Sequence, residues 1–159
     1  MDGKSSISRD FDFEFGSWVV RHRRLKERLT GCDEWEEFEG TSETRPVLGG
    51  NGNVEDNLLE FPSGAYRAIA LRSFDPASQK WAIWWLAATD PHQLDVPVVG
   101  SFEDGVGAFY AEDTLRSEPV SVRFLWLHTG TETPRWEQAM SSDGGKTWET
   151  NWTMDFRRA

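Results

Sequence analysis

The chain has 159 residues and a formal net charge of −10, from 17 basic and 27 acidic side chains. This length is typical of one domain with a single core, predicted here over residues 1–159, and the charge would repel nucleic acid and anionic membrane surfaces. Because Cys32 is the one cysteine and no apolar run is long enough to span a bilayer or act as a signal segment, we expect a cytoplasmic protein with neither nucleic acid nor membrane as a partner.

Alternation of apolar and polar residues recurs along the chain, with turn residues between the segments and almost no helical periodicity. The segment 10–15 fits one helical turn that plugs an end of the fold. Hairpin-linked strands are typical of an all-β, antiparallel barrel of about ten strands, in which closure removes the sheet edges, and also of a two-sheet sandwich; the resemblance described below favours the barrel. The predicted strands are 17–28, 35–47, 52–61, 66–74, 80–88, 97–103, 107–114, 120–129, 135–141 and 147–156.

In the first hairpin, a turn at 30–33 sets Arg24 opposite Glu39. The basic run 21–28 then faces an acidic strand, where opposite charges stabilise each other across the sheet. We therefore interpret the run as part of a structural ion-pair ladder and not as a nucleic-acid site.

The second hairpin, the ribbon 66–88, turns at 75–80 and sets Phe74 opposite Trp81 and Leu71 opposite Trp84. Only one face can line a barrel, so the other needs a cover: the N-terminal segment or a second copy of the chain. We expect a homodimer through this ribbon. Its two faces carry Phe74, Trp81, Ile83 and Trp85 on one side, and Ile69, Leu71, Trp84 and Leu86 on the other.

The third hairpin contains Ser141–Trp148, which matches the pattern S-x-D-x-G-x-T-W. The pattern resembles the Asp-box turns of sialidase propellers, where it is structural, and one copy does not support a propeller. The predicted register sets Trp136 opposite Trp152 and Gln138 opposite Thr150. It assigns Trp136, Gln138, Met140, Trp148, Trp152, Met154 and Phe156 to the core, and Glu137, Glu149, Asn151 and Asp155 to solvent.

Gly16-Ser17-Trp18 resembles the G-x-W signature of lipocalins and their calycin relatives. The resemblance implies that Trp18 seals the closed end of a lipocalin-like barrel. It also implies that a basic residue after the last strand, Arg157 or Arg158, stacks on the indole through a cation–π contact.

Longer runs at 45–53, 97–105, 136–140 and 143–152 resemble an uncharacterised bacterial family of lipocalin-like barrels. The likeness extends from about residue 11 to 156 and implies the fold but hardly the function. Some related calycins bind haem through an axial histidine. None of the three histidines, His22, His92 and His128, lies in the last strands, so we expect no cofactor, with haem as a minor alternative. No two of these histidines and Cys32 show the spacing of metal ligands, so we expect no metal site.

If Trp18 points into the barrel, alternation also points His22 and Arg24 inward, and the predicted register adds Glu43 from the second strand. An alternative is a β-bulge that shifts the alternation and leaves these charges in solvent; Leu25 opposite Phe38 supports it.

We expect the barrel cavity to bind a small, partly apolar ligand. One alternative is an enzyme, a hydrolase or isomerase, in which His22 is the acid–base group and Glu43 orients it. Another is an interaction module with a filled barrel. The predicted ligand-binding residues are His22, Arg24, Glu43, Trp85, Gln138 and Trp152.

Overall fold

The structure is a computed structural model that describes residues 6–159, so the first five residues of the predicted domain lie outside the described residues. Ten antiparallel strands close into a barrel in the order β1-β10-β9-β8-β7-β6-β5-β4-β3-β2. The predicted all-β barrel is therefore confirmed, and the sandwich alternative is wrong. The strands are β1 Gly16–Leu25, β2 Trp35–Val47, β3 Gly52–Phe61, β4 Gly64–Asp75, β5 Lys80–Ala87, β6 Val98–Glu103, β7 Val106–Leu115, β8 Glu118–Leu127, β9 Arg135–Ser141 and β10 Glu149–Arg158.

The N-terminal segment enters one end of the barrel, as predicted for a plug. A single 3₁₀ turn, Asp12–Glu14, follows Phe11, which is 1% exposed. The Phe11 ring packs edge-on against Trp81 and Phe102, with centroids 4.9 and 5.0 Å away. These aromatic contacts close this end of the lumen, and the segment does not serve as a cover for the outside of the ribbon 66–88.

Trp18 seals the same end from the first strand. Its side chain is 2% exposed, and the Arg158 guanidinium lies 3.7 Å above the ring centroid. Arg158 also donates hydrogen bonds to the carbonyl oxygens of Phe15 and Phe13, at 2.5 and 3.2 Å. The stacking predicted for Arg157 or Arg158 is thus confirmed, with Arg158 as the partner.

The ribbon 66–88 has the predicted register. Phe74 pairs with Trp81 and Leu71 pairs with Trp84, because the turn between them closes tightly. The face with Phe74 and Trp81 lines the lumen and is largely buried. On the outer face the apolar side chains are half-buried within the single chain: Ile69, Leu71, Trp84 and Leu86.

The first hairpin has a different register from the predicted one. Arg24 pairs with Glu36 and not with Glu39, because the chain between β1 and β2 forms a longer loop, 26–34. The displacement is three residues, an odd number, and therefore swaps the faces of β2. Ser42 points into the lumen, whereas the predicted inward residue Glu43 is exposed on the outside.

The third hairpin is also displaced. Gln138 pairs with Trp152 and not with Thr150, and the register shifts at a bulge between Thr150 and Trp152. The bulge turns Asn151 inward, where it is 0% exposed, so its assignment to solvent is wrong. Trp148 is not a core residue either, because its ring packs on the outside of the barrel beneath Arg123, 4.6 Å from the guanidinium.

Candidate functional site

A cavity of about 240 Å³ lies at the open end of the barrel, opposite the end that Trp18 and Phe11 seal. Four of the predicted ligand-binding residues line it: Arg24, Trp85, Gln138 and Trp152. His22 lies behind its wall, and Glu43 faces outward. The other lining residues are Arg28, Tyr66, Ala87, Thr89, Asp95, Phe124 and Trp136.

Aromatic rings form the apolar wall of the cavity. Trp152 contacts Trp85 and Trp136 edge-on, with centroids 5.9 and 5.5 Å apart, and Phe124 contacts Trp136 at 4.9 Å. Edge-to-face contacts of this kind hold each ring in one orientation. The wall therefore offers a rigid apolar surface to a bound molecule.

Gln138 places an amide on this aromatic wall. Its Nε2 donates a hydrogen bond of 2.8 Å to Oδ1 of Asn151, the residue that the β10 bulge turns inward. This bond orients the Gln138 amide. Because the bulge places its acceptor, Asn151, inside the barrel, the bulge helps to position a polar group of the site.

His22 supports the wall from behind. Trp152 Nε1 donates a hydrogen bond of 3.1 Å to His22 Nδ1, and the imidazole stacks on Phe38 with centroids 4.6 Å apart. A Cβ at Gly40 would clash with the backbone carbonyl oxygen of Leu58 and approach His22 Nε2 to 3.2 Å, so glycine suits both the neighbouring strand and the imidazole. Burial lowers the pKa of His22 to about 4, and the ring is therefore neutral at pH 7.

The predicted acid–base pair of His22 and Glu43 does not form. His22 is 1% exposed inside the barrel, whereas Glu43 projects from the outer surface of β2. The inward positions of this strand carry Ser42 and Thr44 instead. The neutral imidazole has a positioning role, because it fixes the indole of Trp152.

Arg24 projects into the cavity from the end of β1. Its guanidinium lies 4.8 Å from the Trp152 ring centroid and 5.4 Å from that of Phe61. Such cation–π contacts hold a cation over an aromatic face without neutralising its charge. Arg24 is thus a charged group held against the aromatic wall.

The sequence did not predict Arg28, Tyr66 and Asp95 as site residues. Arg28 and Asp95 belong to the irregular segments before β2 and β6, whose paths alternation does not encode. Tyr66 shares the inward face of β4 with Phe74, and two-residue alternation from Phe74 would have identified it.

Below the cavity, a buried charge cluster spans the lumen. Arg72, 2% exposed, donates from Nη2 to Glu55 Oε1 at 2.6 Å and from Nη1 to Asn53 Oδ1 at 2.9 Å. Ser42 donates to the second oxygen of Glu55, also at 2.6 Å. A small void of about 20 Å³ lies between the Arg72–Glu55 ion pair and the mouth cavity. Trp85 lines both the void and the mouth cavity.

Glu14 joins the cluster from the N-terminal 3₁₀ turn. It is 0% exposed, and burial, followed by the charge of Glu55, raises the pKa of its carboxyl well above 4.5. The pKa of Glu55 is lowered despite its burial, because of Arg72 and hydrogen bonds from Glu14, Ser42 and Arg72. Glu14 is therefore the protonated carboxyl and Glu55 the charged one, which leaves Arg72 neutralised.

No histidine lines the mouth cavity within the part of the chain that the structure describes. His92 and His128 are exposed in loops, and Nδ1 of His22 is engaged with Trp152. Across residues 6–159, three or more metal-binding side chains do not gather anywhere, and no helix is both long and apolar enough to cross a membrane.

No family model matches this sequence, and no curated protein is significantly similar to it.

Proposed function

We propose that this protein binds a small, partly apolar molecule in the cavity at the open end of its barrel. The observation that carries the proposal is the cavity itself. About 240 Å³ of space is lined by five aromatic side chains, with polar groups at its rim. Apolar walls with a few oriented polar groups are the usual composition of small-molecule sites.

The rigidity of the wall supports the same proposal. Trp152 is held by His22 on one side and by Trp136 on the other, and Gln138 is held by Asn151. A preformed site loses little conformational entropy when a ligand enters, so more of the contact energy is available as affinity.

Two finer proposals go with this function. The Trp18–Arg158 contact at the closed end supports a relationship to the lipocalin-like calycins. The single cysteine, Cys32, supports a reducing compartment such as the cytoplasm.

The proposal is tested with 1-naphthaleneacetamide, a neutral aromatic probe, added to ¹⁵N-labelled protein. We expect saturable NMR shifts of the indole N–H signals of Trp85, Trp136 and Trp152. The signals of Trp18 at the closed end and of Trp148 on the outer surface should stay in place.

A matched pair of variants locates the binding. Ala87→Phe fills the cavity from the inward face of β5 and should abolish the shifts, whereas Ala82→Phe places the same ring on the outer face of that strand and should not. Absence of saturable shifts in the unmodified protein, or equal binding by both variants, would contradict a ligand site in this cavity.

A further inference from the structure

Two arginines converge on the mouth cavity from adjacent parts of the chain. Arg24 is the last inward residue of β1, and Arg28 lies in the loop 26–34 that follows. Two hydrogen bonds hold this loop: Arg116 donates to the carbonyl oxygen of Arg28, and the amide of Leu29 donates to Glu149, both at 2.7 Å. These bonds hold the backbone of Arg28 at the rim.

Neither guanidinium is neutralised by contact. Among residues 6–159, no carboxylate oxygen lies within 4.0 Å of Arg24 or Arg28. Two neighbouring cations, by contrast, make ion pairs. Arg21 lies 3.4 Å from a carboxylate oxygen of Glu37, and Lys26 lies 3.9 Å from one of Glu34. Among the described residues Arg23 also makes no ion pair, but it stacks on Trp35, 4.1 Å from the ring centroid, and does not line the cavity. Arg24 and Arg28 are thus the unpaired arginines of the run 21–28 that face the cavity.

Two carboxylates lie near this pair of arginines without contacting it. Asp95 lines the cavity and attracts Arg28 electrostatically, and Glu36 lies across the strand from Arg24, but neither makes an ion pair with its neighbour. Burial, and next the charge of Arg24, lower the pKa of Arg28 to about 10. The guanidinium groups therefore repel each other in a partly desolvated place, and an incoming anion would relieve that repulsion.

The sign of the charge in the cavity is opposite to that of the whole chain. The chain carries a formal net charge of −10, which repels anions in general. Inside the cavity the charged lining residues are two arginines and one aspartate. An anion is thus favoured at one point of an otherwise acidic protein, next to an aromatic wall.

We propose that the mouth cavity selects small organic carboxylates, with Arg24 and Arg28 binding the carboxylate group and the aromatic wall holding the apolar body. This inference rests on the proposed function and names its ligand class. The planar guanidinium fork matches the two oxygens of a carboxylate. The rings of the aromatic wall would exclude water from the rest of the ligand; they belong to Trp85, Phe124, Trp136 and Trp152.

The test compares 1-naphthaleneacetate with 1-naphthaleneacetamide, which have nearly the same shape and differ in charge. Titration calorimetry on the unmodified protein should give at least about tenfold tighter binding of the acid, the factor expected for a hydrogen bond to a charged group. Added salt should weaken binding of the acid and leave the amide unaffected.

Charge-deleting variants then assign the preference to residues. Arg24→Met and Arg28→Met should each reduce the acid-to-amide preference, the ratio of the two affinities measured in the same variant, to below about threefold. Arg21→Met, on the outer face of the same strand, should retain the full preference.

The outcomes separate the two proposals. Equal affinity for the acid and the amide in the unmodified protein would overturn the carboxylate inference and leave the proposed function in place, with no variant needed. A preference that persists in both Arg24→Met and Arg28→Met would also overturn it. If neither probe binds, the proposed function fails as well.

Discussion

Replacing Glu14 by glutamine should change how stability depends on pH. Glu14 is fully buried between Glu55 and Thr44, and burial raises the pKa of its carboxyl well above 4.5. Glutamine has nearly the same shape, can donate a hydrogen bond to Glu55 as the protonated acid does, and is neutral at every pH. The substitution therefore removes one titration and little else.

The direction of this pH dependence follows from the number of protons that the folded and unfolded chains bind. Between pH 4.5 and the raised pKa, the unfolded chain releases the Glu14 proton and the folded chain keeps it. The folded state then binds more protons, so the free energy of unfolding falls as pH rises, by about 1.4 kcal/mol per pH unit from this group. Glu55 acts in the opposite sense, since its lowered pKa contributes stability that is lost as pH falls through that pKa.

Urea denaturation followed by tryptophan fluorescence measures the effect at pH 5.5, 6.5 and 7.5. The stability of Glu14→Gln relative to the unmodified protein should increase by about 1.4 kcal/mol for each of these steps that lies below the raised pKa. Glu43→Gln, exposed on β2, controls for the loss of one carboxylate. If the curves of Glu14→Gln and the unmodified protein run parallel, Glu14 ionises normally in the fold and the reasoning is refuted.

Two further predictions concern tryptophans at other places. Trp18→Ala should lower the free energy of unfolding by about 3–5 kcal/mol in chemical denaturation, because it removes a buried indole and the stacking partner of Arg158; a loss below about 1 kcal/mol would contradict the seal. The homodimer through the ribbon 66–88 stays a prediction: light scattering should find a dimer that Trp84→Glu converts to a folded monomer, since Trp84 faces outward, and a monomeric unmodified protein would contradict it.

Much of the barrel could be predicted because its strands alternate clearly and several turns are chemically distinct. The turn at 75–80 combines Asp75 and Pro76, and Asp75 accepts a backbone hydrogen bond from Ala77 that tightens it. That turn leaves one register for Phe74 and Trp81. Asp143 also marks a turn, since it accepts hydrogen bonds from Thr147 and Ser141 that lower its pKa to about 2, but that turn did not give the register of its hairpin.

The candidate site was predicted only where alternation decides the position of a side chain. Arg24 and Trp85 follow from their strands, but Glu43 does not, because an odd change in the length of the loop 26–34 exchanges the faces of β2. Asn151 was misassigned for a related reason, since a one-residue bulge leaves no mark in the sequence.

The buried charges could not be predicted from the sequence for a different reason. Glu55 and Arg72 lie on the inward faces of β3 and β4, where the polarity of the residues argues for solvent. They are stable inside because each supplies the other's counter-charge, and that pairing depends on a register that joins two strands. The polar and apolar pattern of a single strand does not show which charged residue of another strand will pair with it.

The order of the strands has a consequence for how the chain reaches this structure. Among the described residues, nine of the ten strand pairings join neighbours along the chain, and only β1 with β10 joins strands far apart in sequence. Local hairpins form with little loss of loop entropy, whereas the last pairing must close almost the whole chain into a ring. Arg158 and Trp18 lie on these two strands, so their contact stabilises the pairing that closes the barrel. Substitutions there should slow barrel closure more than they disturb the hairpins.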